Sequence, residues 1–103
     1  MNTGRGELER GADVCRAGYV VRGRVQGVGF RWWTRREAER EEVAGTVRNR
    51  SDGGVEVMVV GRCDAVARFR EAVGSGPRLA RVDSLESVPF RGAPGATEFS
   101  IIS

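Results

Sequence analysis

Histidine and lysine are both missing from this chain. Without histidine there is no Ser-His-Asp triad, no Cys-His pair and no imidazole metal ligand. Catalysis would have to come from carboxylates, hydroxyls, amides, arginines or the backbone. Without lysine the G-x-x-x-x-G-K-[ST] phosphate loop is excluded. Cysteine is scarce: Cys15 and Cys63 are too few, and too separately placed, for a disulfide framework or a zinc site. With one of them in a tail, the default setting is reducing and cytoplasmic. Apolar runs extend to only a few residues, so no membrane span is expected. The N-terminus has no n-region followed by an apolar h-region, so secretion is not indicated.

What is present fits one domain. The 103 residues can bury a single modest core, and 40% hydrophobic with 30% charged residues is ordinary for a soluble globule. A net charge of +3 and a pI near 9.6 raise the question of nucleic acid. The charges are interleaved, however: Arg31, Arg35, Arg36 and Arg40 balance Glu37, Glu39, Glu41 and Glu42. That pattern reads as a solvated helix face and not a binding stripe. All seventeen basic residues are arginine, as GC-rich coding produces, so only their positions carry information.

One stretch organises the rest: Val25-Gln26-Gly27-Val28-Gly29-Phe30-Arg31. Before it, Tyr19 to Val25 reads as a strand rich in β-branched residues. After it, Trp32 to Glu42 has no glycine or proline and reads as a helix. A two-glycine turn between strand and helix, with an arginine where the helix begins, makes an anion cradle. Glycines adopt φ > 0 and let several N–H groups converge on one oxyanion, and the helix N-terminus adds free donors and the positive end of its dipole. Arg31 adds a planar fork suited to phosphate or carboxylate. No acidic residue lies between Asp13 and Glu37. The dinucleotide fingerprint G-x-G-x-x-G is absent. On spacing alone the turn serves equally as a plain connection, and the ligand stays open.

Taken in order, Met1 to Ala17 reads as a flexible N-terminal extension, few in large apolar residues and with cancelling charges. Residues 18–103 form the domain. The first strand places Tyr19, Val21, Gly23 and Val25 on one face. In the first helix Thr34 and Ala38 share a face that Glu41 continues where an apolar residue is expected. Two alternating strands, Thr46 to Arg50 and Gly54 to Val60, flank the hairpin signal Ser51-Asp52-Gly53-Gly54. A helix from about Asp64 to Val73 follows, with Gly74 placed to end it. A strand from Arg81 to Phe90 carries a parity break at Leu85 that predicts a bulge, and a short strand spans Thr97 to Ile102. The order βαββαβ plus a terminal strand predicts a ferredoxin-like split βαβ sandwich, α+β, with an antiparallel sheet and both helices on one face.

Several blocks then match a family in order and spacing. Gly23 to Arg31 (G-R-V-Q-G-V-G-F-R), Gly45 to Asn49 (G-T-V-R-N), Ser51 to Val57 (S-D-G-G-V-E-V), Gly76 to Val82 and Phe99 to Ile101 resemble acylphosphatase over residues 18–102. The resemblance implies metal-free, cofactor-free hydrolysis of the carboxyl-phosphate anhydride of a small acyl phosphate, releasing inorganic phosphate, in a cytoplasmic monomer with no nucleic-acid or membrane partner. It implies that the loop Gln26, Gly27, Val28, Gly29 and Phe30, with Arg31, holds the phosphoryl group and that Asn49 positions the attacking water. Asn49 also suits a plain turn former. Trp32 and Trp33 are assigned packing roles, and Arg22, Arg24, Arg48 and Arg50 a general positive potential. The chain departs from the family at Glu41, Glu42 and Thr46, which predicts a weakened end to the first helix and lowered stability. Two rival readings remain: a non-catalytic phosphate-binding module on the same cradle, and a single-stranded RNA binder, disfavoured because the sheet lacks an aromatic platform.

Overall fold

The computed structural model describes residues 13–103. Its elements are β1 (Val14–Arg24), α1 (Phe30–Glu41), β2 (Ala44–Asn49), β3 (Val55–Arg62), α2 (Cys63–Ser75), β4 (Arg81–Val88) and β5 (Phe99–Ile101). They form one five-stranded sheet in the order β4-β1-β3-β2-β5. The β4-β1-β3-β2 pairs are antiparallel, as expected. β5 lies beside β2 in parallel, with Gly45 opposite Phe99 and Val47 opposite Ile101, so the full sheet is mixed.

The alternation in the strands decides where the helices lie. Val21, Val47, Val55, Val57 and Val59 all face one side and are fully buried. They meet Phe30 and Ala38 of α1 and Val66, Phe69 and Val73 of α2 in one core. Each such side chain contributes roughly 1.5–3 kcal/mol of burial. Phe69 and Phe99 close the β5 side edge to face, 5.7 Å between centroids. The even residues face away from the helices, yet Met58 is buried there too. The chain at 90–92 crosses it, and its sulfur accepts the Arg91 N–H at 3.3 Å.

Several expectations hold in detail. β4 carries its bulge: Arg22 pairs with Ser84 but Gly23 with Val82, leaving Asp83 as the extra residue. Others are corrected. β1 begins at Val14, inside the stretch expected to be a flexible tail; residues 1–12 of that expected tail lie outside the described residues. α2 runs through Gly74 and is capped at Gly76, whose N–H reaches the Ala72 carbonyl. The end of α1 is well formed despite lacking a glycine. Glu42 takes the left-handed conformation itself (φ 60°, ψ 42°), with its N–H directed at the Ala38 and Glu39 carbonyls. Glu41 accepts a 2.8 Å hydrogen bond from Arg68, tying α1 to α2.

The cysteines are the largest correction. Cys15 and Cys63 form a disulfide, with Cα atoms 4.8 Å apart across 48 residues of chain. Distance along the sequence concealed this. Antiparallel pairing sets Val14 opposite Arg62 and Cys15 opposite Gly61, so the first residue of α2 sits against the first residues of β1.

Candidate active site

β1 and β2 both run antiparallel to β3, so their C-terminal ends emerge at the same end of the sheet. Val21, Val55 and Asn49 stand in one row across the three strands. The loop after β1 and the last residue of β2 are therefore neighbours by topology. That places the expected site residues, Gln26 to Arg31 and Asn49, at one end of the molecule.

The loop is pinned at both ends by apolar side chains. Val25 and Phe30 are each 1% exposed, and Val28 packs partly against the same core. Between these anchors Gly27 and Gly29 both have φ 76°, a conformation that strains other residues. A Cβ at either glycine would meet nothing within 4 Å. The glycines are thus required by backbone conformation, and the space above them is open to a ligand.

Donors accumulate here. The first helical bond of α1 runs from the Trp33 N–H to the Gly29 carbonyl at 3.0 Å. Among the described residues, none of the N–H groups from Gly27 to Trp32 donates to a protein acceptor. The first turn of α1 carries no acidic residue, so the positive end of its dipole is uncompensated. Arg31, in that turn, is half-buried and has no carboxylate partner among the described residues.

Other arginines contrast with it. Arg48 forks onto Glu56 at 2.8 and 3.2 Å, Arg50 and Arg22 both hold Asp52, Arg22 also meets Glu86, and Arg81 holds Asp83. The sheet-face arginines are therefore largely neutralised, and Asp52 is held well below the usual carboxylate range, mainly by its hydrogen bond from Arg50.

Asn49 ends β2 on the same side as Val47, the side that faces the helices. Its Oδ1 is buried without a hydrogen-bond partner among the described residues. Gln26 joins this residue's strand to the cradle. Its Nε2 donates to the Arg50 carbonyl at 2.9 Å and to the Gly54 carbonyl at 2.8 Å. The hairpin it grips is itself held by the Gly54 N–H to Asp52 at 3.1 Å. Gln26, expected among the phosphate-binding residues, uses its side chain to fasten loop to hairpin. Polar side chains that bond to backbone have no periodic signature, so this role left no trace in the sequence.

Trp33 packs on Phe30 at 5.6 Å, while Trp32 is 62% exposed beneath the Arg35 guanidinium. A depression of about 730 Å³ between the end of α1, the start of β2 and residues 94–99 lies at the opposite end of α1 from the cradle.

Comparison with known proteins identifies the family. The acylphosphatase family profile matches residues 17–101. The acylphosphatase of Nitrobacter hamburgensis is 59% identical over 77 residues, 75% of this chain and 77% of that one. The crystal structure of acylphosphatase from Bacillus subtilis superimposes with a TM-score of 0.80 at 37% identity, covering 88% of this chain and all of that one. HypF of T. kodakarensis, 34% identical with a TM-score of 0.72, carries the same fold as 12% of its length, matched by 84% of this chain. This chain belongs to the acylphosphatase family, hydrolases that act on acid anhydrides.

Proposed function

We propose that the chain, as a monomer, hydrolyses small acyl phosphates to carboxylate and inorganic phosphate without a metal ion. The loop amides and Arg31 bind the phosphoryl oxygens, and Asn49 orients the attacking water. The observation that supports this best is the concentration of donors at one point: among the described residues, neither the N–H groups from Gly27 to Trp32 nor the guanidinium of Arg31 beside them has a protein acceptor. Phosphoryl transfer to water depends mainly on alignment and on stabilising charge at the equatorial oxygens. Amides held by buried Val25 and Phe30 are preorganised for that charge and need no rearrangement as the reaction proceeds.

The balance of the reaction suits a chain without histidine. Water oxygen bonds to phosphorus, the bond from phosphorus to the acyl oxygen breaks, and the electron pair leaves on a carboxylate. A carboxylate is a good leaving group, so no strong general acid is needed. The proton lost by water is taken up by the phosphate formed.

Loss of one preorganised donor of this kind costs ~3 kcal/mol of transition-state stabilisation. Arg31→Gln and Asn49→Ala should each lower kcat/KM by about a hundredfold, while far-ultraviolet circular dichroism keeps its wild-type form. Near-normal turnover in either variant would overturn that residue's role. Phosphate that protects the fold from melting in a wild type with no turnover would establish a binding module instead.

A further inference from the structure

Two buried side-chain oxygens lack partners among the described residues, Thr34 Oγ1 and Asn49 Oδ1. A buried polar atom left unpaired is costly, so such atoms point to an interaction made by water or a ligand. Here the two are complementary: a hydroxyl has a proton to give, and an amide oxygen can only accept.

Topology sets them on facing surfaces of α1 and β2. Thr34 lies with Phe30 and Ala38 on the buried stripe of α1 and has no exposed surface. Asn49 lies on the helix-facing side of β2, two residues beyond fully buried Val47. The two elements run antiparallel, since the Val43 N–H, just before β2, donates to the Ala38 carbonyl at 3.0 Å. Thr34 therefore stands midway along β2 and, like every helical side chain, leans toward the N-terminal turn. That turn holds the cradle, and that direction leads to Asn49.

We propose that Thr34 is a positioning residue that acts through Asn49: its hydroxyl, bridged by one buried water, donates to Asn49 Oδ1. A single water between two otherwise unpaired groups satisfies both. The consequence is directional. With its oxygen fixed inward, the Asn49 amide presents Nδ2 outward to the cradle, and the attacking water meets a donor of defined orientation. The proposal rests on the reading of Asn49 as the residue that orients water, and it adds what holds Asn49 in register.

The test is a kinetic cycle with benzoyl phosphate on the full chain. Thr34→Val keeps shape and removes the hydroxyl; Thr34→Ser keeps the hydroxyl. Thr34→Val should lower kcat by about tenfold, the scale of a misoriented catalytic group, with KM and inhibition by inorganic phosphate within twofold of wild type. Thr34→Ser should restore most of the rate. In an Asn49→Ala background, Thr34→Val should cause no further loss, because the group it positions is gone. Thermal melting should show Thr34→Val less stable than wild type yet fully folded at the assay temperature, since loss of the hydroxyl leaves the buried water and Asn49 Oδ1 without their donor. Unchanged kcat in Thr34→Val, with Asn49→Ala inactive, would overturn the Thr34 proposal alone. So would independent losses in the double variant, or a Thr34→Ser as slow as Thr34→Val. Normal turnover in Asn49→Ala would overturn the reading beneath it, and the proposal with it.

Discussion

Breaking the Cys15–Cys63 bond should be the most damaging change that leaves the site untouched. The bond closes a loop of 48 residues from the first residues of β1 to the start of α2. Chain-entropy bookkeeping for a loop of that size gives ~4 kcal/mol of stabilisation by restricting the unfolded ensemble. Against a total of about 5–15 kcal/mol for a domain of this kind, that is a large share. It corresponds to a melting temperature lowered by about 15 °C or more. The assay is urea denaturation of the wild type with and without a phosphine reductant, beside the Cys15→Ser/Cys63→Ser double variant. Reduction should move the wild-type midpoint down to that of the double variant and leave the double variant unmoved. Activity well below the melting transition should survive in all three, because ten residues of strand, roughly 33 Å, separate Cys15 from Val25. A stability loss under about 1 kcal/mol would refute the reasoning, as would a reductant effect on the double variant. Disulfides persist in oxidising compartments and are kept reduced elsewhere. The same chain should therefore be markedly less stable in a reducing setting.

Other expectations follow from single residues. Glu42→Gly should raise stability by about 0.5–1 kcal/mol, because glycine adopts the left-handed cap at φ 60° without the cost a side chain carries; a lowered urea midpoint would contradict this. Gly45→Ala should cost about 2 kcal/mol or more, since at φ 144° the new Cβ would run into the Met58 carbonyl on β3; a variant as stable as wild type would show that this contact relaxes. Glu56, 7% exposed, is held below its ordinary value near 4.5 chiefly by its hydrogen bond from Arg48. A carboxyl whose folded pKa is depressed lends stability above the unfolded pKa, and that stability fades as pH falls through the folded one. Stability should therefore drop as pH is lowered below 4.5, and Glu56→Gln should flatten that limb; equal acid slopes in the two proteins would count against it.

How much of this was legible depended on the range of the signal. Alternating valines and the Ser51 to Gly54 hairpin are local, so the succession of elements and the helix-facing side followed from them. The cradle was legible too, because Gly27, Gly29 and Arg31 lie within one short stretch. The missed features are those set by pairing across the sheet. The bond between Cys15 and Cys63 depends on the β1–β3 register. The grip of Gln26 on the Arg50 and Gly54 carbonyls depends on which hairpin folds beside it. Glu41 looked like a misplaced charge until α2 brought Arg68 within 2.8 Å. Glu42 broke the glycine rule for helix ends, and the backbone took the left-handed conformation regardless. Thr34 was readable as a buried helix position, but nothing in one dimension could show that its hydroxyl and the Asn49 amide oxygen are both buried without a partner among the described residues.

We propose that amides and a guanidinium with no protein acceptor among the described residues perform the chemistry without a metal. The most direct measurement is hydrolysis of benzoyl phosphate in excess chelator by the wild type and by Arg31→Lys. The account predicts undiminished wild-type turnover in chelator. It also predicts a loss of about a hundredfold in the folded lysine variant, whose ammonium cannot reproduce the planar fork. Turnover abolished by chelator and restored by a divalent cation, or a lysine variant as fast as wild type, would contradict it.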